Sequence, residues 1–376
     1  MKYYLIAGEA SGDLHGSALM KSLKKNDPDA SFRFLGGDRM KQEGGELVKH
    51  YQDMAFMGAV EVLLNLKKIK HNMDLARKDI LGYHPDVLIL IDYPGFNIKM
   101  AEFAHHHNIR VFWFIAPKVW AWKEWRVKKL KAFVNQIFTI LPFETEFFRK
   151  HGIEVHYVGN PLIDAIENAR KNFRSREVFV KDNLLSDKPL VALLPGSRIQ
   201  EIRNMLPVMT RVARDFPGYQ FAVSGAEAID PQLYSKYLSH SPIPVLYGQT
   251  YEMLHHSVAA LVASGTATLE TALLKAPQAV LYKMIGGRVF YWLFRKFFLK
   301  VPYVSLPNLV LGKNAVREFI MDEMRYDKVS PELHRLLNNM EYSNQIARDY
   351  DIIRGKIGNP GAADRAAGIM VGLLKS

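Results

Sequence analysis

The 376-residue chain contains no cysteine, which excludes disulfides, zinc–thiolate sites, iron–sulfur clusters and a cysteine nucleophile. That fits a reducing compartment. No apolar run approaches the ~18 uncharged residues that a transmembrane helix needs. The N-terminal stretch has five apolar residues before Gly8-Glu9, short of the roughly seven of a secretory core, and reads as a first β-strand. Neither a GxGxxG nor a Walker loop occurs, so NAD and ATP are not indicated. No DxD pair stands beside a phosphate-type loop, and neither a metal nor a cofactor is expected. Acidic residues are in deficit: 50 Lys and Arg against 38 Asp and Glu leave +12, which favours an anionic partner such as a phosphorylated metabolite, nucleic acid or an acidic membrane surface.

What is present describes a globular protein of about two domains. Apolar runs at 3–7, 86–91, 111–115, 136–140 and 155–158 fill the first half, and runs at 190–194, 221–223, 259–263 and 278–281 the second. Helix-length segments separate them. Continuously apolar strands of this kind are what a parallel sheet covered on both faces requires, so the class is α/β. The polar stretch 170–188, following Gly159-Asn160-Pro161, marks a boundary. We expect a first domain over 1–168, completed by a C-terminal helical segment 345–376, and a second over 169–344. Two Rossmann-like, doubly wound domains facing across a cleft hold ligands in the loops after their strands.

Three such loops stand out. Gly8-Glu-Ala-Ser-Gly-Asp-Leu-His-Gly16 follows the first strand and opens a helix, so Glu9, Ser11 and Gly12 can approach a ligand at the positive end of the helix dipole. Ser11 or Asp13 would equally serve as an N-cap. In Leu194-Pro-Gly-Ser-Arg198, Gly196 and Ser197 expose amides and Arg198 can pair with a phosphate, or the segment caps a helix with Glu201 following. In Ala263-Ser-Gly-Thr-Ala-Thr-Leu-Glu270, the residues Ser264, Gly265 and Thr266 offer first-turn N–H groups to phosphate oxygens, and Glu270 can accept ribose hydroxyls. Ordinary helix-start chemistry has the same look. Two such loops in one half-chain make a nucleoside diphosphate the leading ligand for the second domain.

Eight ordered blocks then resemble a known family. They are Gly8-Glu-Ala-Ser-Gly-Asp13, Met57-Gly-Ala-Val-Glu-Val-Leu63, Ile91-Asp-Tyr-Pro-Gly-Phe-Asn97, Pro117-Lys-Val-Trp-Ala-Trp122, Leu141-Pro-Phe-Glu144, Leu194-Pro-Gly-Ser-Arg198, Ser264-Gly-Thr-Ala-Thr-Leu-Glu270 and Val304-Ser-Leu-Pro-Asn308. Together they are similar to the lipid A disaccharide synthases, inverting glycosyltransferases of the GT-B fold. The resemblance implies transfer of 2,3-diacylglucosamine from UDP-2,3-diacylglucosamine to the 6-hydroxyl of 2,3-diacylglucosamine 1-phosphate (lipid X), giving a β-1,6 disaccharide and UDP. It implies a cytoplasmic enzyme, peripheral on the inner face of the inner membrane. The family pattern commonly has an acidic residue where Gly95 stands and histidine where Asn160 stands, so no role passes to those positions.

Inversion by direct displacement needs a base on one face and stabilisation of the leaving diphosphate on the other. Asp92, ending an apolar strand, is the expected base, with Asp13 and Glu9 in reserve; a cap on the next helix is its plainer role. The departing charge would meet the Gly265 helix start, the Gly196 and Ser197 amides and Arg198, with Asn308 reaching in from a loop after Pro307. Two segments suit greasy substrates. Val60 to Met73 reads as a helix with Val62, Leu66, Ile69 and Met73 on one stripe. Val60, Leu63 and Leu64 point elsewhere beside Lys67 and Lys70, which fits an anionic membrane surface or burial on two sides. Residues 288–300 read as a basic aromatic amphipathic helix suited equally to a membrane, a homodimer interface or packing between domains. Trp120, Trp122 and Trp125 fit an acyl pocket, a phosphate site or core packing. His105-His106-His107 is a solvated helix end, since neighbours on a helix diverge by about 100°. A UDP-sugar epimerase on the same architecture is the nearest rival, and a basic nucleic-acid-binding protein a more distant one, because no nucleic-acid module is recognisable.

Overall fold

The computed structural model describes residues 1–54, 65–122, 124–238, 241–283 and 302–376. Among them thirteen strands build two all-parallel sheets, one in each of two compact units. The first unit comprises Met1–Pro161 and Asn359–Ser376, the second Leu162–Gly358.

In the first unit β1 (Lys2–Ala7), β2 (Ser31–Gly36), β3 (Glu46–His50), β4 (Val87–Ile91), β5 (Arg110–Phe114), β6 (Gln136–Thr139) and β7 (His156–Tyr157) lie in the order β3-β2-β1-β4-β5-β6-β7. All five residues of β4 are buried, as a central strand with helices on both faces demands. One face packs Tyr4, Ile6, Leu88, Leu90 and Trp113 against Met73, Ala76 and Ile80 of the helix Leu66–Tyr83. The other packs Tyr3, Leu5, Ile89 and Phe112 against Leu19 and Leu23 of the helix Ala10–Asn26. That second face also receives Ala366, Ala367 and Met370 of the last helix, Ala362–Lys375. Asp364 fixes this helix by accepting from Ser22 at 2.6 Å and pairing with Lys25 at 3.1 Å.

In the second unit β8 (Leu190–Leu194), β9 (Gln220–Gly225), β10 (Val245–Tyr247), β11 (Ser257–Ala263), β12 (Gln278–Tyr282) and β13 (Arg317–Ile320) run in the order β10-β9-β8-β11-β12-β13. The chain passes between units at 161/162 and 358/359. The helix Met340–Ile357 therefore belongs to the second unit, and the part of it beyond 345 that we expected in the first does not.

The helix expected from Val60 is described only from Leu66 onward; Val60, Leu63 and Leu64 lie outside the described residues, as do residues 288–300. Of the expected core stripe, Met73 is buried and Ile69 packs on the core, but Leu66 is 53% exposed at the helix start. Lys67 and Lys70 are exposed on the same two turns. No helix among the described residues is long and apolar enough to cross a membrane.

Candidate active site

Each sheet has one point where the strand order reverses: between β1 and β4 in the first unit, and between β8 and β11 in the second. Helices leave such neighbouring strands toward opposite faces, opening a crevice beyond the carboxyl ends. The sequence-selected loops follow these four strands.

At the first crevice Ala7 is in register with Ile91, so Gly8 and Asp92 leave the sheet side by side. Gly8 has to be glycine because a Cβ there would sit 2.2 Å from the Tyr93 ring. Glu9 is the N-cap of the following helix by backbone position, with no side chain capping the first turn, so neither Ser11 nor Asp13 caps it. Ser11 is exposed. Gly12 is buried, with Ala7 at 3.2 Å from where its Cβ would lie, which seats the helix close on β1. Asp13, only 4% exposed, caps a different helix. Its oxygens accept from the amides of Gly37 at 2.8 Å, Met40 at 3.1 Å and Arg39 at 3.1 Å, at the start of Asp38–Gln42. Three amide donors on one carboxylate are the work of a buried cap.

Asp92 is different. It does not cap the next helix, whose N-cap is Tyr93 and which has no side-chain cap. Its side chain is half-buried, and burial pushes its carboxyl above the usual carboxylate range. The Lys118 ammonium and the Tyr93 amide oppose that rise. A carboxylate raised in this way is a better proton acceptor than one in water. Lys118 is exposed and also bears on Glu144, a fully buried acid that burial pushes up to about 7. Glu144 accepts from the Trp120 indole at 3.0 Å and from the amides of Leu141 at 3.0 Å and Ile140 at 3.1 Å. Trp120 is thereby a core residue. His15, half-buried in the loop's helix, is held neutral with its pKa pushed down to about 4 by burial; sequence reasoning gave it no role. His105 to His107 are exposed at the end of Pro94–His106.

At the second crevice Leu194 is in register with Val262. Gly196 has φ +103, and a Cβ there would meet the Glu201 carboxylate at 2.3 Å. Glu201 accepts from the Ser197 amide at 3.0 Å and the Arg198 amide at 3.3 Å, forming the capping box of Ile199–Ala213. Those amides, expected to face a diphosphate, are thus bridged by an internal carboxylate, an anion of the same donor preference. The Arg198 side chain is exposed at the start of this helix.

After β11, the Ser264 hydroxyl donates to Val304 O at 2.6 Å and its amide to Leu281 O at 2.9 Å, tying the loop to its neighbours. Gly265, exposed at φ +153, is the N-cap of Thr266–Leu273 and has no side-chain bond there. The first-turn amides of Thr266 and Ala267 therefore point out of the helix. Glu270, half-buried one turn on, accepts from the Tyr251 phenol at 3.1 Å, and burial raises its carboxyl above the ordinary range. Asn308 departs from expectation. It sits inside the helix Leu306–Leu311, wholly buried, with Oδ1 accepting from Ala315 and Val316 and Nδ2 donating to Val316 O and Glu318. Its side chain shapes the 304–318 segment instead of reaching outward. Glu318, which the sequence did not flag, also takes the Ser305 hydroxyl at 2.6 Å and amide at 2.9 Å.

Two Rossmann-like units of this strand order define the GT-B class, and solved structures agree. The S. aureus MnaA–UDP co-structure matches with a TM-score of 0.72 at 12% identity, covering 100% of this chain and 97% of that one. CalG4, the calicheamicin glycosyltransferase, matches with a TM-score of 0.59 at 14% identity, covering 99% and 98%. At such identities the likeness is one of fold alone. The lipid-A-disaccharide synthase of Syntrophus aciditrophicus is 35% identical over 378 residues, 99% of this chain and 97% of that protein. The lipid-A-disaccharide synthetase family model matches residues 3–362. The chain belongs to that family and is a glycosyltransferase.

Proposed function

We propose that the protein transfers 2,3-diacylglucosamine from UDP to the 6-hydroxyl of 2,3-diacylglucosamine 1-phosphate. The acceptor oxygen attacks the anomeric carbon, the bond from that carbon to the UDP oxygen breaks with inversion, and the hydroxyl proton passes to the Asp92 carboxylate. UDP leaves carrying the negative charge. What carries the reading is the contrast between the crevices: a half-buried, raised carboxylate beside an exposed lysine at one, and helix-start amides with an exposed guanidinium and Glu270 at the other. Arg198 and the first turn after Gly265 receive the diphosphate, with the Ser197 and Arg198 amides passing from Glu201 to a phosphate oxygen. Glu270 accepts the ribose hydroxyls. Asp13 holds the start of the helix Asp38–Gln42 in place, as Asn308 holds the 304–318 segment.

Both substrates carry acyl chains, and the reading includes peripheral contact with an anionic membrane on its cytoplasmic side, through Lys67 and Lys70 and the apolar residues Val60, Leu63 and Leu64 beside them in sequence. Basic residues flanking an apolar face suit such a surface. Product analysis tests the whole. With the UDP-acylglucosamine donor and the acylated acceptor, disaccharide and UDP form in equal amounts; with donor alone the sugar is unchanged. An epimerised sugar from donor alone, or UDP release without disaccharide, sinks the proposal.

A further inference from the structure

The backbone that carries Asp92 is bent into a conformation that two consecutive residues do not adopt unaided. Asp92 has φ +43 and Tyr93 φ +45, both in the left-handed region, where a non-glycine residue is strained and persists only if its surroundings over-determine it. Three contacts do so. The Asn97 side-chain amide donates to Asp92 O at 2.8 Å and to Ile91 O at 3.3 Å. The Tyr93 phenol donates to Met54 O at 3.0 Å. The Tyr93 ring fills the space that a side chain on Gly8 would occupy.

Asn97 is fully buried, one turn into the helix that follows. Both of its hydrogen bonds run to carbonyl oxygens, which fixes the nitrogen toward the turn. No described protein group donates to its Oδ1. The side chain is therefore held by its donor side alone. Leucine would fill nearly the same volume without a donor, and aspartate would set a third acceptor against two carbonyls. Only a side-chain amide at this depth ties the last residue of β4 and the aspartate after it in one grip.

We infer that Asn97 is a positioning residue for the reaction: its amide locks the Ile91–Tyr93 turn so that the Asp92 carboxylate is presented at the crevice in one orientation. This rests on the reading of Asp92 as the base. Displacing a reacting group by about 1 Å costs on the order of 100-fold in rate, so Asn97→Leu should lose about that in kcat while UDP affinity stays within experimental error. A relaxed turn also gives the carboxyl back to water, so the acid limb of the kcat/KM profile should move to lower pH, which a loss of folded protein alone does not produce. In the Asp92→Asn background, Asn97→Leu should add no further loss. A folded Asn97→Leu enzyme with parental kcat and an unmoved limb overturns the inference, even when Asp92→Asn is inactive. An active Asp92→Asn enzyme instead removes the base reading beneath it. Should Asn97→Leu not fold, Tyr93→Phe loosens the same turn from its Met54 side: a lower kcat with the limb moved to lower pH supports the inference, and parental values overturn it.

Discussion

The two units wind their strands in the same sequence around the same kind of reversal point, yet the groups held there differ in kind. After β1 and β4 the first unit sets carboxylates, Glu9, Asp13 and Asp92, and strains its backbone at non-glycine residues to aim one of them. After β8 and β11 the second unit uses glycines at positive φ, hydroxyls and helix starts, and its acids either cap, as Glu201 does, or lie one turn back, as Glu270 does. A shared fold thus supplies a place without supplying the chemistry. Side chains at a bent strand end suit proton transfer, which needs one group in one orientation. Backbone donors at a helix start suit a diphosphate, whose charge is spread over many oxygens.

The sharpest way to break the contrast is at Asp92. Asp92→Asn should lower kcat about 1,000-fold, the middle of the range for a general base, and leave UDP binding as it was. A variant turning over at the parental rate would mean that the first crevice does not deliver the base. The complementary change is Arg198→Ala, which should weaken UDP binding about tenfold, the scale of one charged hydrogen bond. Equal affinity by calorimetry would take the guanidinium off the diphosphate.

Much of this was legible in the sequence where residues are buried on both sides. Runs such as Val87–Ile91 and Leu190–Leu194 have no polar alternation, and they became central strands. The strands without such a signal are edges or next to one. Glu46–His50 and Arg317–Ile320 pair on one side only and carry Glu46, Lys49, Arg317 and Glu318, while Val245–Tyr247 is three residues long. The loops after strands were legible because glycine and serine at strand ends are local signals. The work of their carboxylates was not, since Asp13 meets Gly37 and Met40 across the sheet and Glu318 meets Ser305 through a turn of the chain. Local pattern shows that an acid is present; only the fold shows what it is bonded to.

The surface at the start of Leu66–Tyr83 offers a smaller effect. Lys67 and Lys70 are exposed, and a lysine near an anionic bilayer contributes about 1 kcal/mol. Replacing both with glutamine should lower co-sedimentation with anionic vesicles, leave binding to zwitterionic ones unchanged and spare the melting temperature. Unaltered anionic binding would move membrane contact elsewhere on the chain.

The smallest expected effect tests how the first crevice is tuned. Burial lifts the Asp92 carboxyl and the Lys118 ammonium pulls it down, so Lys118 sets how far above the usual range the base titrates. A base is active when ionised, and activity dependent on Asp92 therefore rises with pH through its pKa. Removing the cation leaves burial less opposed. In Lys118→Met the acid limb of kcat/KM should accordingly move to higher pH, whereas Lys118→Arg keeps the charge and should hold the limb near the parent's. The second unit gives the control, because Arg198→Ala changes UDP binding and should leave the limb where it was. A limb that moves with Arg198 and not with Lys118 would assign the titrating group to the wrong crevice for this mechanism.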